Sequence, residues 1–412
     1  MLNSYHSLPR EHFKRTQMDE NSAELQQSLN SLYDELVEKS QTYIGYPNSQ
    51  LLDNHNLSPF LNLTINNVGD PFVGNNGMNT FQQEKELLEF FGNLLKLETN
   101  DLWGYVTNGG TEGNLFGLYL ARERYPDGVV FFSEESHYSL NKVVKILGLK
   151  CCIIPSQGHG EIDYSELSRS IKSLQHYPVI MNANIGTTMK GAIDNIDKIK
   201  QVLKENQISR SYLHCDGALF GTMLPLLEGA PRVDFSCGID SIAISGHKFF
   251  GSPIPCGVVL TRKTNTHFIQ NTVQYINSFD STVSGSRDGF SVLILWQVMK
   301  KLGVQGLKDR ALDCLKMTDY TLRSLRKISW PAWCNPNSNI VVIKKPTLPL
   351  IKKWHLATEN NISHVILMPG IDRKKIDLFV EDLNLLKNVR PLRGEFSCFR
   401  ERLYENPISN CL

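Results

Sequence analysis

The sequence predicts an α/β protein with a mostly parallel central sheet, and three observations support this class. Short apolar runs alternate with helical patterns from Phe81 to about Lys263, which is typical of a parallel sheet covered by helices on both faces. Polar residues suited to chemistry follow directly after several of these runs, where open α/β sheets form their crevices. A chain of 412 residues that is 41% hydrophobic is also long enough to bury a large core.

The first predicted element is an amphipathic helix near the N-terminus. Leu25, Leu29, Leu32 and Leu36 recur at spacings of four, three and four residues, and the pattern ends near residues 45–47. The leucine face is equally consistent with packing on a partner subunit or on the chain's own core. The first twenty or so residues are polar, and we expect them to be loose.

The alternating region predicts four helices and six strands. The helices are predicted at 87–97, 111–124, 163–174 and 195–205. The strands are predicted at 129–133, 150–154, 178–185, 211–215, 240–245 and 256–262. Asp163 precedes the third helix in the cap position, with Glu166 three residues later, as in a variant of the capping box.

The last part of the chain predicts a small C-terminal α+β domain. A long helix near 305–328 precedes strands at 339–344 and 364–368, and a final helix is predicted at 373–386. We therefore divide the chain into an N-terminal helical segment at 1–80, a large domain at 81–305 and a small domain at 306–412.

The bulk properties exclude several functional classes. A net charge of +1 argues against binding to nucleic acid or to a membrane surface, and no run of about 18 apolar residues predicts a transmembrane helix. The N-terminus lacks the apolar core of a secretory signal, and nine cysteines without framework spacing indicate reduced thiols, so we expect a cytoplasmic protein. No C-x-x-C or H-E-x-x-H spacing predicts a metal site.

The most informative residue is Lys248, which lies in the run SIAISGHKFFGSPIPCG at 241–257. An alternating apolar strand delivers this lysine to the carboxyl edge of the predicted sheet, where its amine can form a Schiff base. The usual pKa of lysine is about 10.4, so a nucleophilic role requires burial or a positive neighbour that favours the neutral amine. The alternative is a solvated lysine at a strand end, and the motifs described next favour the chemical interpretation.

A glycine-rich turn predicts an anion site. Residues 105–114 read YVTNGGTEGN and open a helical pattern. The glycines permit close approach of the backbone, and the free N–H groups at a helix N-terminus suit a phosphate. The spacing fits neither a Walker loop nor a dinucleotide fingerprint. Taken alone, such a run is more often an ordinary turn.

Asp216 ends the apolar run at 211–215 and is expected to be buried. A buried carboxylate requires a cationic partner, and a protonated pyridine nitrogen is one. A helix cap or a surface turn is the alternative role. His137 follows the strand at 129–133 on a predicted strand-to-helix loop, where its imidazole can lie over a planar cofactor. A hydrogen-bonded loop histidine without a chemical role is the alternative. His214 and Cys215 are interpreted as strand filling.

The order of these motifs resembles the group II pyridoxal-phosphate-dependent amino-acid decarboxylases. The resemblance covers roughly residues 40–305 and is nearest to the branch of bacterial histidine decarboxylases and plant serine decarboxylases. Further runs that carry it are LTINNVGDPF at 63–72, NANIGTT at 182–188 and GSRDG at 285–289. It implies an aspartate-aminotransferase-like enzyme of fold type I that uses pyridoxal 5'-phosphate to release carbon dioxide from an L-amino acid.

The resemblance also implies roles for individual residues. Lys248 would hold the cofactor as an internal aldimine, Asp216 would pair with the pyridine nitrogen, and His137 would stack on the ring. The other cofactor-binding residues implied are Gly109, Gly110, Thr111, Asn114, Thr187, Ser245 and His247. The active sites of this family lie at the interface of a homodimer, so Gly285 and Ser286 would approach the cofactor of the partner subunit, and the N-terminal helix would pack there.

Two departures from the family pattern bear on mechanism and substrate. Animal aromatic-amino-acid decarboxylases carry a longer loop after the lysine, with a tyrosine that protonates the intermediate. Here Tyr275 is the only tyrosine between Lys248 and Arg287, so either Tyr275 or His137 is the expected proton donor. Residues 70–72 resemble the serine-acting branch, whereas residues 107–110 and 251–255 resemble the histidine-acting branch.

The sequence therefore predicts a histidine decarboxylase first and a serine decarboxylase second. Aromatic amino acids rank behind both because the loop is short. An aminotransferase or another lyase on the same fold is the nearest alternative activity. A non-catalytic structural homologue is disfavoured because both Lys248 and Asp216 are present.

Overall fold

The computed structural model describes residues 20–49, 54–269, 271–273 and 278–388. The N-terminal tail that the sequence predicts to be loose lies outside these residues. Helix α1, Glu20–Gln41, belongs to a separate compact unit that ends at residue 43. The predicted amphipathic helix is therefore confirmed. Its four leucines, Leu25, Leu29, Leu32 and Leu36, are exposed.

The remaining helices lie in the unit that begins at residue 44. They are α2 (Phe81–Leu94), α3 (Gly110–Arg124), α4 (Ser139–Leu147), α5 (Tyr164–Ser173), α6 (Ile196–Glu205), α7 (Phe220–Met223), α8 (Gly289–Lys327), α9 (Leu348–Lys353) and α10 (Arg373–Asn388). The cap of α5 is confirmed, because the Asp163 carboxylate accepts the N–H groups of Ser165 and Glu166.

Fifteen strands are described. They are β1 (Asn66–Val68), β2 (Leu102–Thr107), β3 (Val129–Ser133), β4 (Lys150–Ile154), β5 (Val179–Asn184), β6 (Ser211–Asp216), β7 (Ser241–Ser245), β8 (Gly257–Arg262), β9 (Asn271–Val273), β10 (Ser278–Asp280), β11 (Ser286–Asp288), β12 (Ala332–Trp333), β13 (Ile340–Lys344), β14 (Thr358–Glu359) and β15 (Ile362–Ile366).

Seven strands form the central sheet in the order β2-β8-β7-β6-β5-β3-β4. Only β8 runs against its neighbours, so the prediction of a mostly parallel sheet is confirmed. Strands β2, β3, β5 and β7 are buried along their whole length. This burial is expected where both faces of a parallel sheet are covered. As a result, β3, β5, β6 and β7 end at one shared edge.

The C-terminal part contains a four-stranded antiparallel sheet, β12-β13-β15-β14, with α9 and α10. Helix α8 begins at Gly289, well before the predicted start near 305, and contains one non-helical residue, Gly303, at φ 56°. The division of the chain at 80 and 305 stays a prediction. No helix among the described residues is both long and apolar enough to cross a membrane.

A buried ion pair joins three of these elements beneath the glycine-rich turn. Arg287 on β11 contacts Glu84 on α2, and their side chains are 2% and 0% exposed. Glu84 also accepts the backbone N–H of Val106 on β2 at 2.7 Å. The Arg287 guanidinium lies 5.2 Å from the ring centroid of Tyr105. The pair thus ties β2, which leads into the turn, to the segment that carries residues 285–288.

Replacing Glu84 by Gln should destabilise the fold strongly, because it leaves the Arg287 charge buried without a counter-charge. We expect a loss of about 3–5 kcal/mol in the free energy of unfolding, measured by urea denaturation. Asp313→Asn is the matched control, because it neutralises one partner of an exposed pair with Lys316 and should leave the unfolding curve unchanged. Equal stability of Glu84→Gln and wild type would contradict this account.

Candidate active site

A cavity of about 180 Å³ lies at the shared strand edge of the central sheet. Nine of the residues singled out from the sequence line it. They are Gly110, Thr111, Asn114, His137, Thr187, Asp216, Ser245, His247 and Lys248. These residues are spread over more than 130 positions of the chain, so it is the common direction of the parallel strands that brings them together.

Lys248 lies in a tight turn, Gly246–Phe250, that directly follows β7. Its backbone, at φ −93° and ψ −111°, is not helical. Gly246 packs closely here, since a Cβ on it would lie 2.8 Å from Leu295 Cδ2. Burial lowers the pKa of the Lys248 amine below its usual value, and the charge of Asp216 acts against this shift. A larger neutral fraction makes the amine a better nucleophile.

Asp216 is the last residue of β6 and is 9% exposed. One carboxylate oxygen accepts a hydrogen bond from Asn114 Nδ2 at 2.8 Å, and the other accepts the backbone N–H of Ala218 at 3.1 Å. Among the residues that the structure describes, none forms a salt bridge with Asp216. A nearly buried carboxylate without a cation is costly, so this position suits a positively charged ligand atom.

His137 lies on the loop between β3 and α4, as predicted. Its Nδ1 is 2.7 Å from Ser139 Oγ and 3.4 Å from the Ser139 backbone nitrogen, whose N–H points at it. Nδ1 is therefore an acceptor, which assigns the ring proton to Nε2. Burial lowers the pKa of His137, while the charge of Asp216 raises it and that of Lys248 lowers it. The ring is consequently neutral at physiological pH.

The glycine-rich turn forms the N-terminus of α3, a helix of fifteen residues. Gly109, at φ +134°, adopts a conformation that favours glycine. Ser245 and His247 line the same part of the cavity. His247 Nδ1 lies 2.9 Å from the carbonyl oxygen and 3.3 Å from the backbone nitrogen of Cys256. Helix N–H groups beside a hydroxyl and an imidazole make a suitable site for a phosphate.

Gly110→Ala should weaken phosphate binding, because the new Cβ would lie 2.7 Å from Ser245 Oγ. We expect roughly a tenfold or greater loss of affinity for inorganic phosphate or for a phosphorylated cofactor, measured by fluorescence titration. Gly158→Ala is the matched control, since nothing lies within 4 Å of a Cβ there. Unchanged affinity of Gly110→Ala would contradict a cradle at this turn.

Thr187 follows β5 in a turn that is held in place by hydrogen bonds to neighbouring residues. Its hydroxyl accepts the Ala192 N–H at 3.0 Å, and Gly186 before it has φ +104°. Asp194 accepts the backbone N–H groups of Ile162 and Asn184 at 2.8 and 2.7 Å. Burial raises the pKa of Asp194 to about 7. These hydrogen bonds fix the position of the Thr187 backbone beside the cavity.

Comparison with known proteins identifies the chemistry of this cavity. A model of the pyridoxal-dependent decarboxylase conserved domain matches residues 91–343. This chain belongs to the pyridoxal-dependent decarboxylase family. The prediction of the family is thus confirmed, and with it a carboxy-lyase that uses pyridoxal 5'-phosphate.

Two curated relatives represent the two branches that the sequence resembles. A histidine decarboxylase of Mesorhizobium japonicum is 41% identical over 360 residues, which cover 87% of this chain and 97% of the relative. Serine decarboxylase 2 of Oryza sativa subsp. japonica is 41% identical over 351 residues, which cover 84% and 75% of the two chains.

A solved structure shows the same fold. The L-methionine decarboxylase from Streptomyces sp. 590 superposes with a TM-score of 0.81 at 25% identity, covering 89% of this decarboxylase and 96% of that chain. The predicted fold class, a fold-type-I α/β enzyme with a mostly parallel sheet, is therefore confirmed.

The residues of this decarboxylase fit the cofactor on structural grounds. Asp216 forms no salt bridge with any of the described residues, and the ring nitrogen of a pyridoxal cofactor can supply a cation at close range. Lys248 presents an amine with a lowered pKa to the same cavity. The N-terminus of α3 supplies N–H groups for a phosphate. The donor set thus matches the aldehyde, the ring nitrogen and the phosphate of the cofactor.

Among the predicted site residues that the structure describes, Gly109, Gly285 and Ser286 do not line the cavity. Gly285 and Ser286 line a second, open pocket, where Asn66 Nδ2 donates to Ser286 Oγ at 3.1 Å. Their predicted contact with a partner's cofactor stays a prediction. Tyr275 lies outside the described residues. Gly109 is not among the lining residues but is adjacent to Gly110, and a Cβ on it would lie 3.7 Å from His247 Cε1.

Several cavity residues were not found from the sequence. Tyr46, Pro47 and His364 come from segments far apart in the chain, and Asn184 ends β5 beside Asp216. The interpretation of His214 as strand filling agrees with its complete burial on β6, but its hydrogen bonds were not predicted. Its ring bonds Asn114, which in turn holds Asp216. The alternation of side chains along β6 places residues 214 and 216 on one face, and this signal was available.

Proposed function

We propose that this decarboxylase acts on L-histidine and releases carbon dioxide and histamine. The observation that carries the decarboxylase chemistry is the placement of Lys248 and Asp216 on one cavity. The histidine assignment is supported by the Mesorhizobium japonicum relative, 97% of whose length is covered, and by the resemblance of residues 107–110 and 251–255 to the histidine-acting branch.

Lys248 is proposed to attach the cofactor covalently and to release it when the substrate amine arrives. Burial favours its neutral amine, so little free energy is needed to remove a proton before attack. Asp216 supports the opposite end of the site. As a carboxylate fixed by Asn114 and Ala218, it stabilises a proton on the ring nitrogen. When bound, the cofactor supplies an electron sink for the bond that breaks on loss of carbon dioxide.

His137 is proposed to stack on the cofactor ring and to deliver the proton that replaces the carboxylate. Its Nε2 carries a proton because Ser139 occupies Nδ1. A neutral imidazole beside a buried substrate carboxylate adds no charge to the cavity. Tyr275 is the alternative donor that the sequence offers.

The acid side of the pH profile should report on His137. Because burial lowers the pKa of His137, its neutral form persists below pH 6.5, and activity should fall only at more acidic pH. Ser139→Ala removes the hydroxyl donor to Nδ1, so the neutral form loses stability and the acid midpoint should move upward. kcat/KM should be measured against pH for wild type and Ser139→Ala with the same substrate. Ionisation of the substrate then affects both profiles equally. Identical acid midpoints would contradict this role for Ser139.

Serine is the second candidate substrate, since residues 70–72 resemble the serine-acting branch and the rice relative is equally identical. A panel of the common L-amino acids, assayed for the amine product, separates the two. The proposal expects the highest kcat/KM with histidine. A higher value with serine would replace histidine by serine and leave the cofactor chemistry intact.

Transamination is the alternative reaction for the same arrangement of residues. Carbon dioxide and keto acid should therefore be measured together in one assay with histidine. Stoichiometric carbon dioxide with histamine is expected. Keto acid without carbon dioxide would contradict decarboxylation by this chain.

We also propose a homodimer in the cytoplasm. Support for the dimer comes from the exposed leucine face of α1 and from Gly285 and Ser286, which line a pocket separate from the cavity. Five described cysteines are free thiols, as expected in a reducing compartment: Cys215, Cys237, Cys256, Cys314 and Cys334. Sedimentation equilibrium tests the assembly, and a monomer with full activity would contradict it.

A further inference from the structure

A chain of buried hydrogen bonds runs from the interior of the central sheet to Asp216. Ser241 Oγ is 2.7 Å from His214 Nδ1, and His214 Nε2 is 3.0 Å from Asn114 Oδ1. Asn114 Nδ2 then donates to Asp216 at 2.8 Å. Ser241 and His214 are fully buried, and Asn114 is 2% exposed. Ser241 and His214 therefore lie away from the cavity, whereas Asn114 and Asp216 line it.

The packing of α3 on the sheet makes room for this arrangement. The His214 ring lies against Gly117, where a Cβ would be 2.2 Å from Nδ1 and 2.4 Å from Cε1. Glycine at position 117 thus leaves the space that the imidazole fills. Asn114 lies one turn earlier on the same face of α3. The helix therefore provides both the space that the His214 ring fills and the amide that it bonds.

The direction of every hydrogen bond follows from the ionised state of Asp216. A carboxylate only accepts, so Asn114 must present its NH₂ group to Asp216 and its oxygen to His214. His214 must then donate from Nε2, which leaves Nδ1 as an acceptor for the Ser241 hydroxyl. Burial lowers the pKa of His214 to about 4, in agreement with the neutral ring that this order requires.

We infer that His214 is a positioning residue that acts through Asn114 to fix the orientation of the Asp216 carboxylate in the cavity. His214 does not touch the cavity, and Asn114 connects it to the one carboxylate that does. An amide held by His214 cannot rotate and present its oxygen to Asp216. The chain therefore fixes the orientation of the Asp216 carboxylate before any ligand arrives. This inference rests on the proposed pairing of Asp216 with the ring nitrogen.

The test compares His214→Leu with His214→Gln in the full-length holoenzyme. Leucine removes the donor, whereas the glutamine amide can place an N–H near the position of Nε2. We expect His214→Leu to bind pyridoxal 5'-phosphate roughly tenfold more weakly. Without the His214 bond the Asn114 amide is free to rotate, which weakens its hydrogen bond to the charged Asp216. His214→Gln should stay within about threefold of wild type.

A second readout follows the visible absorbance of the bound cofactor against pH. Loss of support for Asp216 should move the transition of the ring nitrogen to lower pH in His214→Leu, and glutamine should restore it. A merely structural role would change thermal stability without this shift. Wild-type affinity and titration in His214→Leu, or equal defects in both variants, would overturn the inference.

Two further measurements decide the matter if His214→Leu does not fold. Ser241→Ala removes the donor to Nδ1 and should shift the same titration in the same direction by a smaller amount, whereas no shift would overturn the inference. Nitrogen-15 spectra of histidine-labelled protein should show His214 with its proton on Nε2, and a proton on Nδ1 would overturn it.

Asp216→Asn separates this inference from the proposed function. If Asp216→Asn binds and titrates the cofactor like wild type, the pairing of Asp216 with the ring nitrogen fails and the inference falls with it. If Asp216→Asn is defective while His214→Leu is not, only the positioning role of His214 is overturned.

Discussion

Lys248→Ala should abolish decarboxylation, with kcat falling on the order of 10³-fold or more. The substitution removes the only amine that lines the cavity among the described residues. Loss of a covalent catalytic group typically costs several orders of magnitude in rate. The cavity would still hold the cofactor through Asp216 and the α3 N-terminus, so binding should persist while covalent attachment is lost.

The measurement is carbon dioxide release from histidine, combined with the absorbance of the protein after gel filtration. Lys316→Ala is the control, because this lysine is exposed and forms a surface salt bridge with Asp313. It should retain wild-type rate and absorbance. Turnover within tenfold of wild type by Lys248→Ala would remove the covalent role of this residue.

Asp216→Asn should produce the second largest effect. Opposite charges 4 Å apart interact by roughly 4 kcal/mol at an effective dielectric constant of about 20. At 1.36 kcal/mol per unit, this raises the pKa of the ring nitrogen by nearly three units. Asparagine keeps the shape but removes the charge, so we expect kcat to fall by up to roughly 10³-fold.

The pH dependence of Asp216→Asn distinguishes charge loss from misfolding. The pKa of the ring nitrogen should fall in this variant, so its protonated form should be recovered only at lower pH. Activity relative to wild type should therefore rise as the pH falls from 8 towards 6. A constant ratio across this range would argue that the carboxylate does not act through its charge.

Most residues of the candidate active site could be predicted from local motifs, because strand ends can be recognised in the sequence. Lys248 and Asp216 each follow an alternating apolar run, and parallel strands bring such positions to one edge. Once the fold class was predicted, the proximity of the two side chains followed. The structure confirms this proximity by placing both on one cavity.

Other parts depended on contacts that no local pattern encodes. His214 acquires its role through Asn114, one hundred residues earlier. His364 lies against the carbonyl oxygen of Gly45, 319 residues away. Strand β2 was not predicted because Gly104 interrupts its apolar run. A Cβ at Gly104 would lie 2.3 Å from the Val259 carbonyl oxygen, so close packing on β8 requires glycine there.

Helix α8 was predicted to begin too late for a similar reason. Its first part, residues 289–299, is mostly buried, so it lacks the polar face that marks an amphipathic helix. Gly303 then interrupts the helical pattern at the point where the predicted helix begins. Burial on several sides conceals helical periodicity until the tertiary structure is known.

Reduction of the holoenzyme with borohydride, followed by digestion and mass spectrometry of the peptides, tests the central claim most directly. The account predicts a stable phosphopyridoxyl group on Lys248, in the peptide that contains residues 241–257. A phosphopyridoxyl group on a different lysine, or an unlabelled Lys248 in catalytically active protein, would contradict it.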